Sequence, residues 1–366
     1  MGPGERAAVS TVLEREYLGM GADTRAFEEE LERYLGPRMS VTSVATGTAA
    51  LQLAVQACGI GPGDEVLVPS LTFVSCFQAI RATGATPVAC DADLATATIA
   101  LDDAARRLTP RTRAIMPVHY AGYLPNVTGV YALARAHGLR VIEDAAHAFG
   151  GTRDGIPIGA EGDVICFSFD GIKNITCGEG GAVVTADPRV RQSVEDARLL
   201  GVQRDTDARY RGERSWDFDV TQPGWRYHMS NIMAAIGRVQ LGRLDGEFAP
   251  RRVALAERYR RGLAGVPGVA LLETAPGVVP HIQPVRILDG RRDAVQATLR
   301  TRGVETGVHY KPNHTLTLFA ADSAGFPVTR QLHQELLTLP LHVDLSDADV
   351  DTVIEELARA LAAPAD

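Results

Sequence analysis

The sequence predicts an α/β fold: a large domain over residues 1–245 with a mostly parallel central sheet, then a smaller α+β domain over 246–366. Three observations predict it. Short apolar runs rich in β-branched residues alternate with segments of helical period through residue 200, the pattern of strands joined by helical crossovers. A long arginine-rich helix over 251–263 then reads as a bridge. Beyond it, strand-like and helix-like stretches share a block of roughly 100 residues, an ordinary domain size.

Composition narrows the class. A chain of 366 residues is long enough for two domains around a substantial core. Its net charge of −8 argues against a nucleic-acid surface. The five cysteines, Cys58, Cys76, Cys90, Cys166 and Cys177, are scattered, with no CxxC pair and no Cys/His ligand spacing. Reduced thiols are therefore expected, and a metal site is not. No apolar run reaches the length of a membrane span and no signal peptide opens the chain, so a cytoplasmic location is expected and a membrane partner is not.

The elements follow in order. Residues 5–36 read as helical, with Asp23 as an N-cap and Gly36 as a stop. Thr46-Gly47-Thr48-Ala49-Ala50 opens a helix that runs to about residue 58. Small residues and hydroxyls there leave backbone N–H groups free at the positive end of the helix, an anion cup suited to a phosphate. A plain threonine cap explains the same residues. After the turn Gly61-Pro62-Gly63-Asp64 come a buried strand over 65–69 and a helix over 72–83. Phe73, in its first turn, either lies flat on a bound ring or joins the core. Strands over 86–90 and 113–118 and a helix over 127–137 precede a strand that ends in Glu143-Asp144. Ligands of open α/β sheets sit beyond the carboxyl ends of strands. Asp144 is thus placed to bind a protonated ring nitrogen, or else to cap a helix. His147 is a second candidate three residues on.

The stretch DVICFSFDGIKNITCGEGG, residues 163–181, organises the rest. A buried strand carries Ser168 near its end. A turn holding Lys173 follows, then Gly178, Gly180, Gly181 and a second strand over 182–185. A lysine between two buried strands is costly unless it is exposed or has a use. A desolvated lysine loses its proton readily and becomes nucleophilic, which suits an imine with an aldehyde cofactor of the pyridoxal phosphate type. Such a cofactor needs an imine lysine, an acid at the ring nitrogen, a phosphate cup and a flat group against the ring. Lys173, Asp144, the 46–50 turn and Phe73 are candidates for the four.

Downstream, a helix over 188–200 leads to a polar, irregular loop over 202–223. Arg226, just before a helix that runs through residue 241, is a candidate phosphate ligand. The last block reads as a strand over 281–288, a helix over 294–302, a strand over 305–310 and a closing helix over 350–362. Tyr310 and His314 flank Lys311-Pro312-Asn313 and are candidate substrate contacts, with an exposed loop as the alternative.

Taken together, TGTAALQLAV, PGDEVLVPSLTFVS, VIEDAAHAFG, FSFDGIKNITCGEGGAVVT, RYHMSNIMAAIGRVQL and GVETGVHYKP make the chain resemble the DegT/DnrJ/EryC1/StrS family of sugar aminotransferases, within the fold-type I pyridoxal phosphate enzymes. The resemblance covers nearly the whole chain. It implies that Lys173 holds pyridoxal 5'-phosphate as an imine and shuttles a proton. It implies that Asp144 pairs with the pyridine nitrogen and that Phe73 stacks on the ring. The backbone of Gly47, Thr48 and Ala49, with Ser168, would hold the phosphate. His147 stands where relatives carry Gln or His. A homodimer with shared active sites is implied, with Arg226 reaching the phosphate of the other chain.

The activity implied is a ping-pong transfer from L-glutamate, through pyridoxamine phosphate, to a keto group at C4 or C3 of a nucleotide-linked deoxysugar. Such amino sugars serve polysaccharide or antibiotic biosynthesis. A cyclitol or keto-inositol acceptor is the alternative, as is a non-catalytic, cofactor-binding regulatory protein. Two departures stand out. Relatives often read Asn-Tyr-Arg or Lys-Tyr-Asn where this chain has Arg226-Tyr227-His228, and His or Tyr in place of Asp170. Asp170 is expected to pair across the interface with the partner's Arg226 or the partner's His228. Family members with His in place of the lysine dehydrate instead, and Lys173 points away from them.

Overall fold

The computed structural model describes residues 1–124, 126–203, 205–211, 213 and 217–362. Helices α1 (Pro3–Glu14) and α2 (Ala22–Leu35) open the chain. The expected cap at Asp23 falls two residues inside, within the first turn: Gly21 is the N-cap residue. The free N–H groups of Asp23 and Thr24 are instead taken by Asn231 Oδ1, 3.1 Å from each. A distant side chain does here what a local cap does elsewhere. Gly36, at φ +107°, ends α2 as expected.

Seven strands form the main sheet. They are β1 (Ser40–Val44), β2 (Glu65–Pro69), β3 (Thr86–Cys90), β4 (Thr112–Ile115), β5 (Arg140–Asp144), β8 (Val164–Ser168) and β9 (Gly181–Thr185). A two-residue hairpin, β6 (Thr152–Arg153) and β7 (Ile156–Pro157), lies between β5 and β8. The order is β1-β9-β8-β5-β4-β2-β3. From β8 to β3 every pairing is parallel; β9 runs against both its neighbours.

Helices cover both faces, as a parallel sheet demands. In β8, Val164 and Cys166 pack with α3 (Gly47–Ala57) and α4 (Ser75–Ala82) on one face. Ile165 and Phe167 meet Phe27 and Leu31 of α2 on the other. That alternation is the period of two of an extended chain. Helices α5 (Leu101–Arg106) and α6 (Val127–His137) close a third cluster with Leu67, Ile115 and Val141.

After α7 (Pro188–Ala197), the stretch expected as a bare loop over 202–223 contains a short helix, α8 (Asp205–Tyr210). Helix α9 (Asn231–Arg243) then runs through a π-turn (Leu244–Phe248) into α10 (Ala249–Leu263). The expected division after residue 245 falls inside that π-turn.

A second sheet, antiparallel, is built from β10 (Val269–Leu271), β11 (Gln283–Ile287) and β12 (Leu336–Leu339) in that order. Helices α10, α11 (Arg292–Thr301) and α13 (Asp347–Ala362) give it a separate core around Leu255, Tyr259, Val285, Leu299 and Leu357. The strand expected over 305–310 is absent: that segment makes a single bridge, Gly307 to Thr338. The strand is β12 instead, directly after α12 (Pro327–Glu335). Among the described residues no helix is long and apolar enough to cross a membrane, and no group of three His, Cys, Asp or Glu side chains is placed to hold a metal ion.

Candidate active site

The carboxyl ends of β5 and β8 lie side by side, with Asp144 in register with Cys166. The N-terminus of α3 meets the same edge, and a cleft of about 500 Å³ opens there. Gly47, Thr48, Phe73, Asp144, His147, Ser168, Lys173 and Tyr310 all line it.

One end is the anion cup. Thr46 caps α3, its Oγ1 accepting the Ala49 N–H at 3.0 Å. The N–H groups of Gly47 and Thr48, at the first two helical positions, have no partner within the helix. A side chain at Gly47 would put its Cβ 2.7 Å from the Ser168 Cβ and 2.9 Å from its Oγ. At Gly181 the Cβ would fall 2.5 Å from the Thr46 carbonyl oxygen. Only glycines let strand end and helix start close this tightly, and the closure brings the Ser168 hydroxyl beside the free N–H groups. Ala49 differs from the expectation. Its N–H is taken by the cap and its methyl is buried, which leaves the N–H groups of Gly47 and Thr48 free beside the Ser168 hydroxyl.

At the opposite end Asp144 is buried and held at both oxygens. Its Oδ1 accepts the Ala146 N–H at 3.0 Å, and its Oδ2 accepts the Cys76 thiol at 2.9 Å. Burial pushes that thiol well above its ordinary pKa, and the Asp144 charge adds to it, so Cys76 remains a donor. Thr72 Oγ1 stands 3.4 Å behind the sulfur.

His147 is pinned from two sides. The Ala121 N–H donates to its Nδ1 at 3.3 Å, and its Nε2 lies 3.0 Å from the Tyr310 hydroxyl. Burial, with the Lys173 charge beside it, holds the imidazole well below its usual pKa. The neutral ring therefore carries its proton on Nε2 and donates to the Tyr310 oxygen. Phe73 precedes α4 rather than opening it. It is 54% exposed, and its ring centroid sits 5.7 Å from that of Tyr310, across the cleft mouth.

Lys173 follows Ser168 by five residues, in a turn where its N–H donates to the Asp170 carbonyl at 3.1 Å. Its Nζ lies 3.4 Å from His281 Nε2. Among the described residues no carboxylate comes within salt-bridge distance of it. Burial lowers its pKa from the ordinary value of 10.5, against the pull of Asp144 and Asp170. The chain holds 37 lysines and arginines, and only Lys173 and Lys311 are lysines. Lys311 is exposed. Where arginine is the habitual cation, a lysine marks a place where the proton must be able to leave.

Two expected residues lie elsewhere. His314 is 2% exposed, stacked on Phe326 at 4.2 Å with its Nδ1 2.7 Å from Ser70 Oγ; it packs behind the cleft instead of lining it. Arg226, expected to reach the phosphate of the other chain, does not line its own chain's cleft. Its backbone bridges to Leu199, and its side chain is exposed. Conversely, Asp170, Glu179 and His309 line the cleft without having been singled out as cofactor or substrate contacts. His281 and Cys76 had no local signal at all: tertiary contact alone makes them neighbours of Lys173 and Asp144.

The residues present fit pyridoxal phosphate. A cup of free N–H groups and a hydroxyl matches the phosphate, a buried carboxylate matches a ring nitrogen, and a desolvated lysine lines the same cleft.

Comparison with known proteins agrees. Residues 1–358 match the DegT/DnrJ/EryC1/StrS aminotransferase family. The aminotransferase TlmJ from Streptoalloteichus hindustanus is 37% identical, with a TM-score of 0.90 over 99% of this chain and 97% of that one. DesV from S. venezuelae is 34% identical, with a TM-score of 0.89 over 99% and 95%. Spr1654 from Streptococcus pneumoniae, solved in a PMP form and a PLP form, is 28% identical. Its TM-scores are 0.90 and 0.89, over 98% of this chain and 95% and 96% of those. With the desolvated lysine and its cup at the sheet edge of a fold-type I aminotransferase, the chain belongs to the DegT/DnrJ/EryC1/StrS family and is a pyridoxal phosphate-dependent sugar aminotransferase.

Proposed function

We propose that this enzyme moves the amino group of L-glutamate to a keto group, at C4 or C3, of a nucleotide-linked deoxysugar. Lys173 carries the reading: it is a half-buried amine with no ion-pair partner among the described residues, in a cleft also lined by Gly47, Thr48, Ser168 and the Asp144 carboxylate. Bound pyridoxal phosphate supplies an electron sink and a carbon to which amines add. The Gly47 and Thr48 N–H groups and the Ser168 hydroxyl would hold its phosphate. Asp144 would keep its ring nitrogen protonated, and Phe73 would cover the ring. As a free amine, Lys173 Nζ would take a proton from the donor carbon and later return one to the acceptor side. Its lowered pKa makes the free amine more accessible than in an ordinary lysine, so it can both take and return a proton. One cleft serves both substrates, so the donor leaves as 2-oxoglutarate before the sugar enters.

The cleft's charge supports a dimer. Lys173 is the one Lys or Arg among its lining residues, while Asp144, Asp170 and Glu179 are acidic. A diphosphate and a dicarboxylate both need cations. An exposed Arg226 on a second copy is the proposed source, and the working unit is a homodimer with shared sites. Five unbonded cysteines suit a reducing, cytoplasmic setting.

The test uses protein loaded with pyridoxamine phosphate. Nucleotide-linked 3-keto and 4-keto deoxysugars and a keto-inositol are added singly, and absorbance is followed. Return of the pyridoxal form with one nucleotide sugar identifies the acceptor. Return with the keto-inositol alone moves the assignment to cyclitols. A spectrum unmoved by every acceptor, and by L-glutamate on the pyridoxal form, contradicts the proposal.

A further inference from the structure

Lys173 has one hydrogen-bond partner at Nζ among the described residues, and it comes from the far half of the chain, 108 residues on. His281, two residues before β11, is 4% exposed. Its ring packs on that of His147 with centroids 4.4 Å apart. Its Nε2 faces Lys173, and its Nδ1 is buried with no partner among the described residues.

The backbone at His281 is held from behind. Arg252 of α10 is itself buried, and its Nη1 donates to the His281 carbonyl at 3.1 Å and to the Pro280 carbonyl at 3.4 Å. That guanidinium meets no carboxylate among the described residues, and burial pulls its pKa down to about 10. It is engaged with backbone carbonyls, and what those carbonyls position is His281.

We propose that His281 is a positioning residue for Lys173: its Nε2 accepts one N–H of the lysine amine and so turns the nitrogen lone pair toward the cleft. The proposal rests on the reading that Lys173 is the reacting amine. A free amine on a four-carbon stem turns about its Cε–Nζ bond, and a single fixed acceptor removes that freedom. The acceptor must be neutral. Burial holds His281 well below its ordinary pKa, and the charges of Lys173 and Arg252 act the same way. The other groups facing the amine do not replace it. Asp144 and Asp170 act on it only through their charge, and His147 and His309 are turned to Ala121, Tyr310 and Thr338.

The test measures capture of pyridoxal phosphate by the full-length chain stripped of cofactor, across pH, with borohydride trapping and mass spectrometry to locate the modified lysine. Trapping is unambiguous because Lys311 is the one other lysine. In His281→Phe the plateau capture rate at high pH falls about tenfold, the scale of one lost hydrogen bond to an ionisable group. The midpoint of the rise moves to lower pH, because the ammonium has lost its acceptor. In His281→Asn, whose amide oxygen accepts, the rate returns to within about threefold of wild type. Capture by His281→Phe at the wild-type rate and midpoint overturns the proposal. So does a His281→Asn rate no better than His281→Phe at equal melting temperature. Lys173→Ala separates the two readings: normal capture by that variant would sink the assignment of Lys173 itself, whatever His281 does.

Discussion

Two cations withdrawn from water in this chain, Arg198 fully and Lys173 in part, show how surroundings decide whether a charge is structural or reactive. Arg198, at the end of α7, has no exposed surface. Its Nη1 donates to Glu28 Oε1 and to the Ser43 carbonyl, each at 2.6 Å, and its Nη2 to the Tyr210 hydroxyl at 2.8 Å. Burial alone would lower its pKa, but Glu28 and Tyr210 raise it above the ordinary arginine value. Lys173 has one neutral imidazole at 3.4 Å and carboxylates only at longer range, and its pKa falls. The first cation is locked in its charged form and ties α2, β1, α7 and α8 together. The second is held nearer neutrality, where a nitrogen lone pair is available. Residue type matches role, since guanidinium does not give up its proton and ammonium does.

The largest effect expected from breaking this contrast is at Lys173. Lys173→Ala should lower kcat/KM by about a thousandfold or more in steady-state assays, because it removes both nucleophile and proton carrier. Its melting temperature should hold or rise, since an uncompensated buried amine is gone.

Arg198→Met should do the reverse. It leaves Glu28 buried without its cation, at a cost of about 3–5 kcal/mol in denaturant unfolding. Rates per folded, cofactor-loaded chain should stay near wild type. A stable Arg198→Met protein with lost turnover would blur the distinction between the two sites.

pH sharpens it further. The amine-transfer half-reaction should speed up as pH rises through the Lys173 pKa, with a midpoint below 10.5. Asp170 favours the ammonium, so Asp170→Asn should move that midpoint lower, by a fraction of a pH unit for a screened charge. A midpoint that moves up instead would mean that Asp170 does not act on Lys173.

The smallest effect concerns a third buried ion, Glu5. Burial would raise its pKa, yet hydrogen bonds from the Glu5 and Gly2 backbone, Gln240 and Arg243 hold it at about 2, against 4.5. A depressed carboxyl contributes stability above its unfolded pKa and loses it as pH falls. Unfolding free energy should therefore decline between about pH 4.5 and 2, and Glu5→Gln should flatten that limb.

Much of the fold and cofactor site was legible because local chemistry and topology agree. Glu143-Asp144 ends a strand, Lys173 follows another, and Gly47 and Gly181 sit where no side chain fits. What escaped the reading depended on distant partners. β1 reads Ser-Val-Thr-Ser-Val, and its buried Ser43 is satisfied by Glu28, fifteen residues earlier, so it lacks an apolar signature. β12 follows α12 without a turn, and its apolar run blends into the helix. His281 stands alone between prolines at 280 and 284, and only the packing of the second sheet against the cleft brings it to Lys173. His314 misled because it was placed just after a strand expected over 305–310; that strand is absent, and Phe326 and Ser70 enclose the ring.

The most direct test of the central claim, that partial burial without a close carboxylate makes Lys173 the reactive amine, is borohydride reduction of the pyridoxal phosphate-loaded chain followed by peptide mass spectrometry. The account predicts one pyridoxyl group per chain, on the peptide containing Lys173, with the exposed Lys311 unmodified. Reduction onto Lys311, or a loaded chain with no lysine modified, would contradict it.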